Sequence, residues 1–166
     1  MRPAPDRAPA GIAEADFRAV VGRFATGVAL VTARVGDTPH GLIVSSFTSV
    51  SLQPPLVAFC PSRTSLTWRR MRAAGGFAVN VLAARHAPFA RAAAAPGADR
   101  FTGAEFDAGQ FGAPLLRDAL AVVECDIVAE HAAGDHMIVV GRVLRLHGPA
   151  AGAPLVHWAG GLLPAG

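Results

Sequence analysis

Hydroxyl side chains crowd one apolar stretch of this sequence. Residues 41 to 65, GLIVSSFTSVSLQPPLVAFCPSRTS, hold six serines and two threonines among residues that read as buried strand, with Pro54-Pro55 interrupting them. A buried hydroxyl needs a hydrogen-bond partner, so a plain core strand would not carry so many. Two strands whose polar edge lines a ligand site, joined by a rigid turn, account for the pattern. A ligand with many acceptors would satisfy the hydroxyls and the backbone N–H groups between them. A Ser/Thr-rich strand with a solvent face gives the same composition.

Other residue types with chemical potential are sparse or dispersed. Cys60 and Cys125 each sit in an apolar run without a CxxC spacing, which reads as two buried free thiols. The histidines at 40, 86, 131, 136, 147 and 157 show no metal-ligand spacing. There is no GxSxG elbow, Walker loop, GxGxxG or closely spaced carboxylate pair. Either the protein only binds something, or a cofactor performs the reaction and the protein positions it. Hydride transfer between a nicotinamide and a flavin fits the second case, because it needs two stacked rings and excluded water more than an acid or base.

Composition narrows the setting. The chain has 166 residues, 52% of them hydrophobic and 16% charged, which suits one domain with apolar surface left for a partner subunit. No apolar run reaches the roughly 18 residues of a membrane span. The N-terminal residues lack the apolar core of a signal peptide, so a cytoplasmic protein is expected. The net charge is +3, and all fifteen basic residues are arginine. They are scattered, with Arg69, Arg70 and Arg72 the densest cluster, a poor track for nucleic-acid phosphates.

The elements that must hold the hydroxyls can be read in outline. Residues 1–13 are expected to form a disordered tail and 14–166 the folded domain. Phe17, Val20, Val21 and Phe24 mark one face of a short helix. Val28 to Arg34 and Gly41 to Val50 form a hairpin around Gly36-Asp37, and Leu56 to Cys60 a short strand. Ser65 caps a helix through Leu66, Trp68 and Met71 that stops at Gly75-Gly76. Phe77 to Leu82 is a further strand. Beyond it, residues 83–113 start helical and break at Pro96-Gly97. Leu120 to Glu130 and Met137 to Leu146 pair around Ala133-Gly134-Asp135. Roughly six strands with two or three short helices, and no βαβ alternation, favour a mainly β antiparallel barrel.

These elements carry a resemblance. TGVALVTA (26 to 33), residues 41 to 65, GGFAVNVL (75 to 82), DRF (99 to 101) and GDHMIVVGRV (134 to 143) resemble, in order and spacing, the flavin reductase family that supplies two-component monooxygenases. The likeness spans about residues 15 to 158. It implies a Greek-key split β-barrel, a homodimer with FMN or FAD at the interface, NADH or NADPH as hydride donor, and a flavin-dependent monooxygenase partner.

The resemblance also implies roles for residues. Thr26, Gly27, Val28 and Ala29, with Val44, Ser45 and Ser46, would lie against the flavin ring and ribityl chain. Ser51 and Leu52 would add turn contacts. Ser62 and Ser65 would hold the phosphate, with Ser65 also at a helix N-terminus. Arg85 would complete the phosphate site, or else is an ordinary surface arginine. His136 would stand at the mouth and contact the nicotinamide, or else is a turn histidine bonded to Asp135. Phe101 and Trp158 read more as packing residues than as stacking platforms.

The sequence departs from the family pattern at Gln53, where an aspartate is usual, in the alanines between Ala92 and Asp99, and in the tail GGLLPAG, which lacks an aromatic lid. A split-barrel oxidase of the pyridoxamine-phosphate type and a non-catalytic flavin-binding module are the competing readings.

Overall fold

The computed structural model describes residues 11–95 and 97–164. Most of the tail expected over residues 1–13 lies outside them.

In chain order the elements are α1 (Glu14–Val21), β1 (Thr26–Gly27), β2 (Ala29–Val35), β3 (Thr38–Val44), β4 (Thr48–Leu52), β5 (Pro55–Phe59), α2 (Leu66–Met71) and β6 (Gly76–Val81). There follow α3 (Ala87–Ala94), β7 (Phe106–Ala108), β8 (Pro114–Leu116), β9 (Ala121–Ala133), β10 (His136–His147), β11 (Leu155–Trp158) and β12 (Gly161–Pro164). Seven strands form one antiparallel sheet in the order β3-β2-β6-β9-β10-β5-β4. The two edges of this sheet, β3 and β4, are consecutive in the chain and are not joined to each other by a ladder.

The strands are more numerous than the sequence suggests, and several are shorter. The run expected from Gly41 to Val50 breaks at Ser45–Phe47, where the chain leaves one edge of the sheet and starts the other. A Ser/Thr-rich run keeps the same alternation whether or not its backbone is paired. The β9–β10 hairpin extends past the expected ends to Ala133 and His136, and Gly134 supplies the positive φ of 62° that its tight turn requires.

Two apolar layers bury both faces of the central strands. Val31, Phe59, Trp68, Met71, Phe77, Val79 and Val139 pack on one face under α2. Leu30, Ala78, Leu82, Ala90, Leu116 and Leu155 pack on the other, under α3 and β8. The Phe59 ring meets Trp68 and Phe77 edge-on at 5.1 and 5.2 Å. Helix α2 is fastened to β9 by Trp68 Nε1, which donates to Glu130 Oε1 at 2.9 Å, while Arg72 pairs with Glu130 Oε2 at 2.5 Å. Burial makes the Cys125 thiol a poor acid, pushing it up to about 12, so it acts as an inert core group. Both cysteines are free, but only Cys125 is fully buried.

Helix α1 behaves differently from its expected role. None of its residues is buried, and Phe17, Val20 and Val21 remain exposed together with Phe24 just beyond it.

Candidate functional site

Where the chain leaves β3 it opens a cavity of about 870 Å³. Leu42, Ile43 and Val44 form its apolar wall, and Phe17 and Val21 of α1 reach it from outside. Ser45, Ser46, Cys60, Pro61, Ser62, Ser65 and His136 supply the rest of the lining. Its volume lies within the range of small-molecule and cofactor sites.

Local hydrogen bonds fix three of the four serine hydroxyls, those of Ser46, Ser62 and Ser65. Ser46 Oγ accepts the Cys60 N–H at 2.9 Å, which ties the break after β3 to the end of β5. Ser62 Oγ accepts the Thr64 N–H at 3.2 Å and lies 2.9 Å from Thr64 Oγ1. Ser65 is the N-cap of α2, as its sequence position predicts, accepting the Trp68 N–H at 3.1 Å. A hydroxyl that accepts from the backbone keeps its own proton free to donate. These serines can therefore serve an anionic or acceptor-rich ligand without giving up their structural bonds.

The loop carrying Ser62 is laced to the β9–β10 turn. Arg63 N–H donates to Asp135 O at 2.9 Å, its guanidinium donates to Gly134 O at 3.0 Å, and Met137 N–H donates to Pro61 O at 2.9 Å. This lacing holds His136 beside the serines. His136 Nδ1 donates to Asp135 Oδ1 at 2.7 Å, and that hydrogen bond lowers the Asp135 carboxyl below its usual range. With Nδ1 donating, Nε2 is the acceptor of the neutral ring. The structure shows the turn histidine bonded to Asp135, and the same ring also lines the cavity.

The other expected site residues fall outside this cavity. Val28 lines an adjoining cavity of about 370 Å³ that shares Ile43, Val44 and Ser45 with the first. Ala29 is buried in the core and pairs across the ladder with Val44, so it backs the cavity wall. Thr26 and Gly27 form β1, and Thr26 Oγ1 is a buried hydroxyl with no partner among the described residues. Ser51 and Leu52 lie on edge strand β4, with Leu52 fully in solvent at 90% exposure. Arg85 is not brought to the serines. Its guanidinium pairs with Asp118, Nε lying 3.1 Å from Oδ2, beside a separate cavity of about 570 Å³.

Phe101 packs edge-on against Phe106, and Trp158 lies under the Arg23 guanidinium and donates to Arg23 O. Cys60, Phe17 and Val21 also line the cavity, and no motif in the sequence marks them as site residues. For Cys60 the clue was its place between the strand and Pro61-Ser62.

The cavity fits a flavin in chemistry as well as volume, with an apolar wall for a ring and hydroxyls for a polyol chain and phosphate. Residues 21–166 match the model of the flavin reductase like domain, and the chain belongs to that family. It is 40% identical over 146 residues to a flavin reductase of Pseudomonas putida, spanning 87% of this chain and 86% of that protein. It is 36% identical over 130 residues to HsaB, the reductase subunit of a flavin-dependent monooxygenase of Mycobacterium tuberculosis, spanning 78% and 70% of the two. The NADH:FAD oxidoreductase SgcE6 of Streptomyces globisporus, solved with NAD and FAD fragments, superposes with a TM-score of 0.84 at 36% identity. That match covers 89% of this chain and 90% of SgcE6.

Proposed function

We propose that this protein is an NAD(P)H-dependent flavin reductase that reduces FMN or FAD and releases the reduced flavin to a separate flavin-dependent monooxygenase. The convergence of Ser45, Ser46, Ser62, Ser65 and His136 on one apolar-walled cavity carries the reading. Family membership and the relatives named above support the reaction class.

When bound, flavin supplies the hydride-accepting chemistry. The protein's own part is to bind, orient and exclude water. Leu42 and Val44 offer the flat apolar face for the ring, backed by Ala29, and Val28 with the unpartnered Thr26 hydroxyl extends that side past Gly27. Ser62 and Ser65 donate to the phosphate, and Ser45 and Ser46 serve the polyol chain. Ser51 and Leu52 would contribute from the neighbouring edge strand. Arg85 stays outside this clamp, because Asp118 neutralises it beside another cavity. His136 Nε2 accepts from the nicotinamide carboxamide, a bond that sets ring orientation without moving a proton.

The same reading makes the protein a cytoplasmic homodimer with a split β-barrel core. Two unjoined sheet edges and the bare apolar face of α1 beside the cavity support it. The free thiols suit a reducing compartment. Among the described residues no helix is long and apolar enough to cross a membrane.

The experiment is an NADH and NADPH oxidation assay crossed with FMN and FAD. Oxidation is expected only when flavin is added, with reduced flavin passing to oxygen and no substrate hydroxylated. Inactivity with every pair would end the reductase reading.

A further inference from the structure

The groove that holds the serine cavity continues past it. Side chains two residues apart on a strand share a face, so Thr38, His40, Leu42 and Val44 form one row along β3. Leu42 and Val44 line the serine cavity, whereas Thr38 and His40 line a second cavity of about 430 Å³. On the helix side Ser65 borders the first, and Arg69 and Arg70 border the second. Two strand residues advance about 6.6 Å, and four helix residues advance about 6 Å. The two cavities are therefore successive stretches of one groove between β3 and α2.

The second stretch is prepared for negative charge. Among the described residues other arginines are paired with carboxylates, Arg72 with Glu130, Arg117 with Glu105 and Asp107, and Arg142 with Asp126. Among the described residues, Arg69 and Arg70 have neither an ion pair nor a side-chain hydrogen bond, and no carboxylate lines their cavity. His40 lines the same cavity, held below its usual pKa first by burial and then by the charge of Arg70, which favours its neutral form. An anion placed there meets two forked donors and relieves their mutual repulsion.

We propose that Arg69, Arg70 and His40 form a second phosphate subsite, for a nucleotide whose other end occupies the serine cavity. The inference rests on the flavin reductase reading. The shared chemistry is a phosphate beyond the flavin's first one, either the adenylate phosphate of FAD or the 2′-phosphate of NADPH.

The test compares wild-type protein with R69A/R70A and R69E/R70E. Affinities for FMN and FAD are read by flavin fluorescence, and kcat/KM for NADH and NADPH at fixed FMN. The FAD-over-FMN affinity ratio or the NADPH-over-NADH ratio should fall about tenfold or more, and further in the charge reversal. A fall in the first ratio identifies the adenylate phosphate as the occupant; a fall in the second identifies the 2′-phosphate. Ratios that all stay within about twofold of wild type, less than 0.5 kcal/mol, would overturn the subsite. If the double variant melts early, R69Q and R70Q singly carry the same comparison. Wild-type protein that binds neither flavin fails the functional reading itself, whereas wild-type binding with unchanged ratios fails the subsite alone.

Discussion

The Ser65 hydroxyl accepts the Trp68 N–H and keeps a proton to donate, so its structural and binding roles can be separated by substitution. Ser65→Ala removes both and should cost about 1 kcal/mol of stability along with roughly tenfold or more in FMN affinity. Ser65→Asp keeps a good cap but sets a carboxylate against the phosphate. It should melt like wild type and lose FMN affinity by about tenfold or more, while lumiflavin, which has no phosphate, binds nearly as before. Equal loss of both ligands would show that Ser65 acts through the fold. His136 belongs to a different step, because its Nδ1 is committed to Asp135 and only Nε2 is left for a ligand. His136→Ala should lower kcat/KM for NADH by about an order of magnitude, one lost orienting contact, with flavin affinity almost unchanged. A variant that loses flavin and keeps nicotinamide affinity would move His136 into the flavin pocket.

At the scale of elements, the groove depends on strands that no ligand touches. Asn80 in β6 donates to Leu30 O at 3.0 Å and to Thr32 Oγ1 at 3.2 Å, and accepts the Leu116 N–H at 2.7 Å. It fastens β2 and β8 to β6 in a fully buried setting. Asn80→Ala strands these groups without water, so urea unfolding should show a loss of about 2–4 kcal/mol. A loss below about 1 kcal/mol would mean that the network relaxes around the gap. The sequence announced some of these elements clearly. Apolar alternation on either side of Gly134 gave the β9–β10 hairpin, and Ser65 and Gly75 marked the two ends of the α2 region. It hid the short ones, since strands such as β1 and β7, of two and three residues, are too brief to establish a period. In the site, the motifs pointed to Val44, Ser45, Ser46, Ser62, Ser65 and His136, which the fold does bring together. They could not reveal that Asp118, far along the chain, holds Arg85 elsewhere, nor that Phe17 and Val21 reach the cavity.

At the scale of the whole molecule, exposed apolar side chains set the expectation for assembly. Val20 is 72% exposed and Phe17 57%, on a helix that buries nothing of its own, and Phe17 borders the serine cavity. A second copy covering this face would both hide it and close the site. Light scattering should give about 34 kDa, twice the 17.0 kDa chain mass, and F17E/V20D should shift the protein toward monomer while weakening flavin binding. A clean monomer that binds flavin tightly would remove the second copy from the account. Every role proposed for these residues depends on flavin lying in the groove between β3 and α2, with its phosphate at the serines. A crystal structure of the protein with saturating FMN tests this placement. It should show the phosphate within hydrogen-bond distance of Ser62 Oγ and Ser65 Oγ, with the ring along Leu42 and Val44 and His136 at its edge. FMN bound instead in the cavity beside Arg85 and Asp118, with the serines left to solvent, would contradict it.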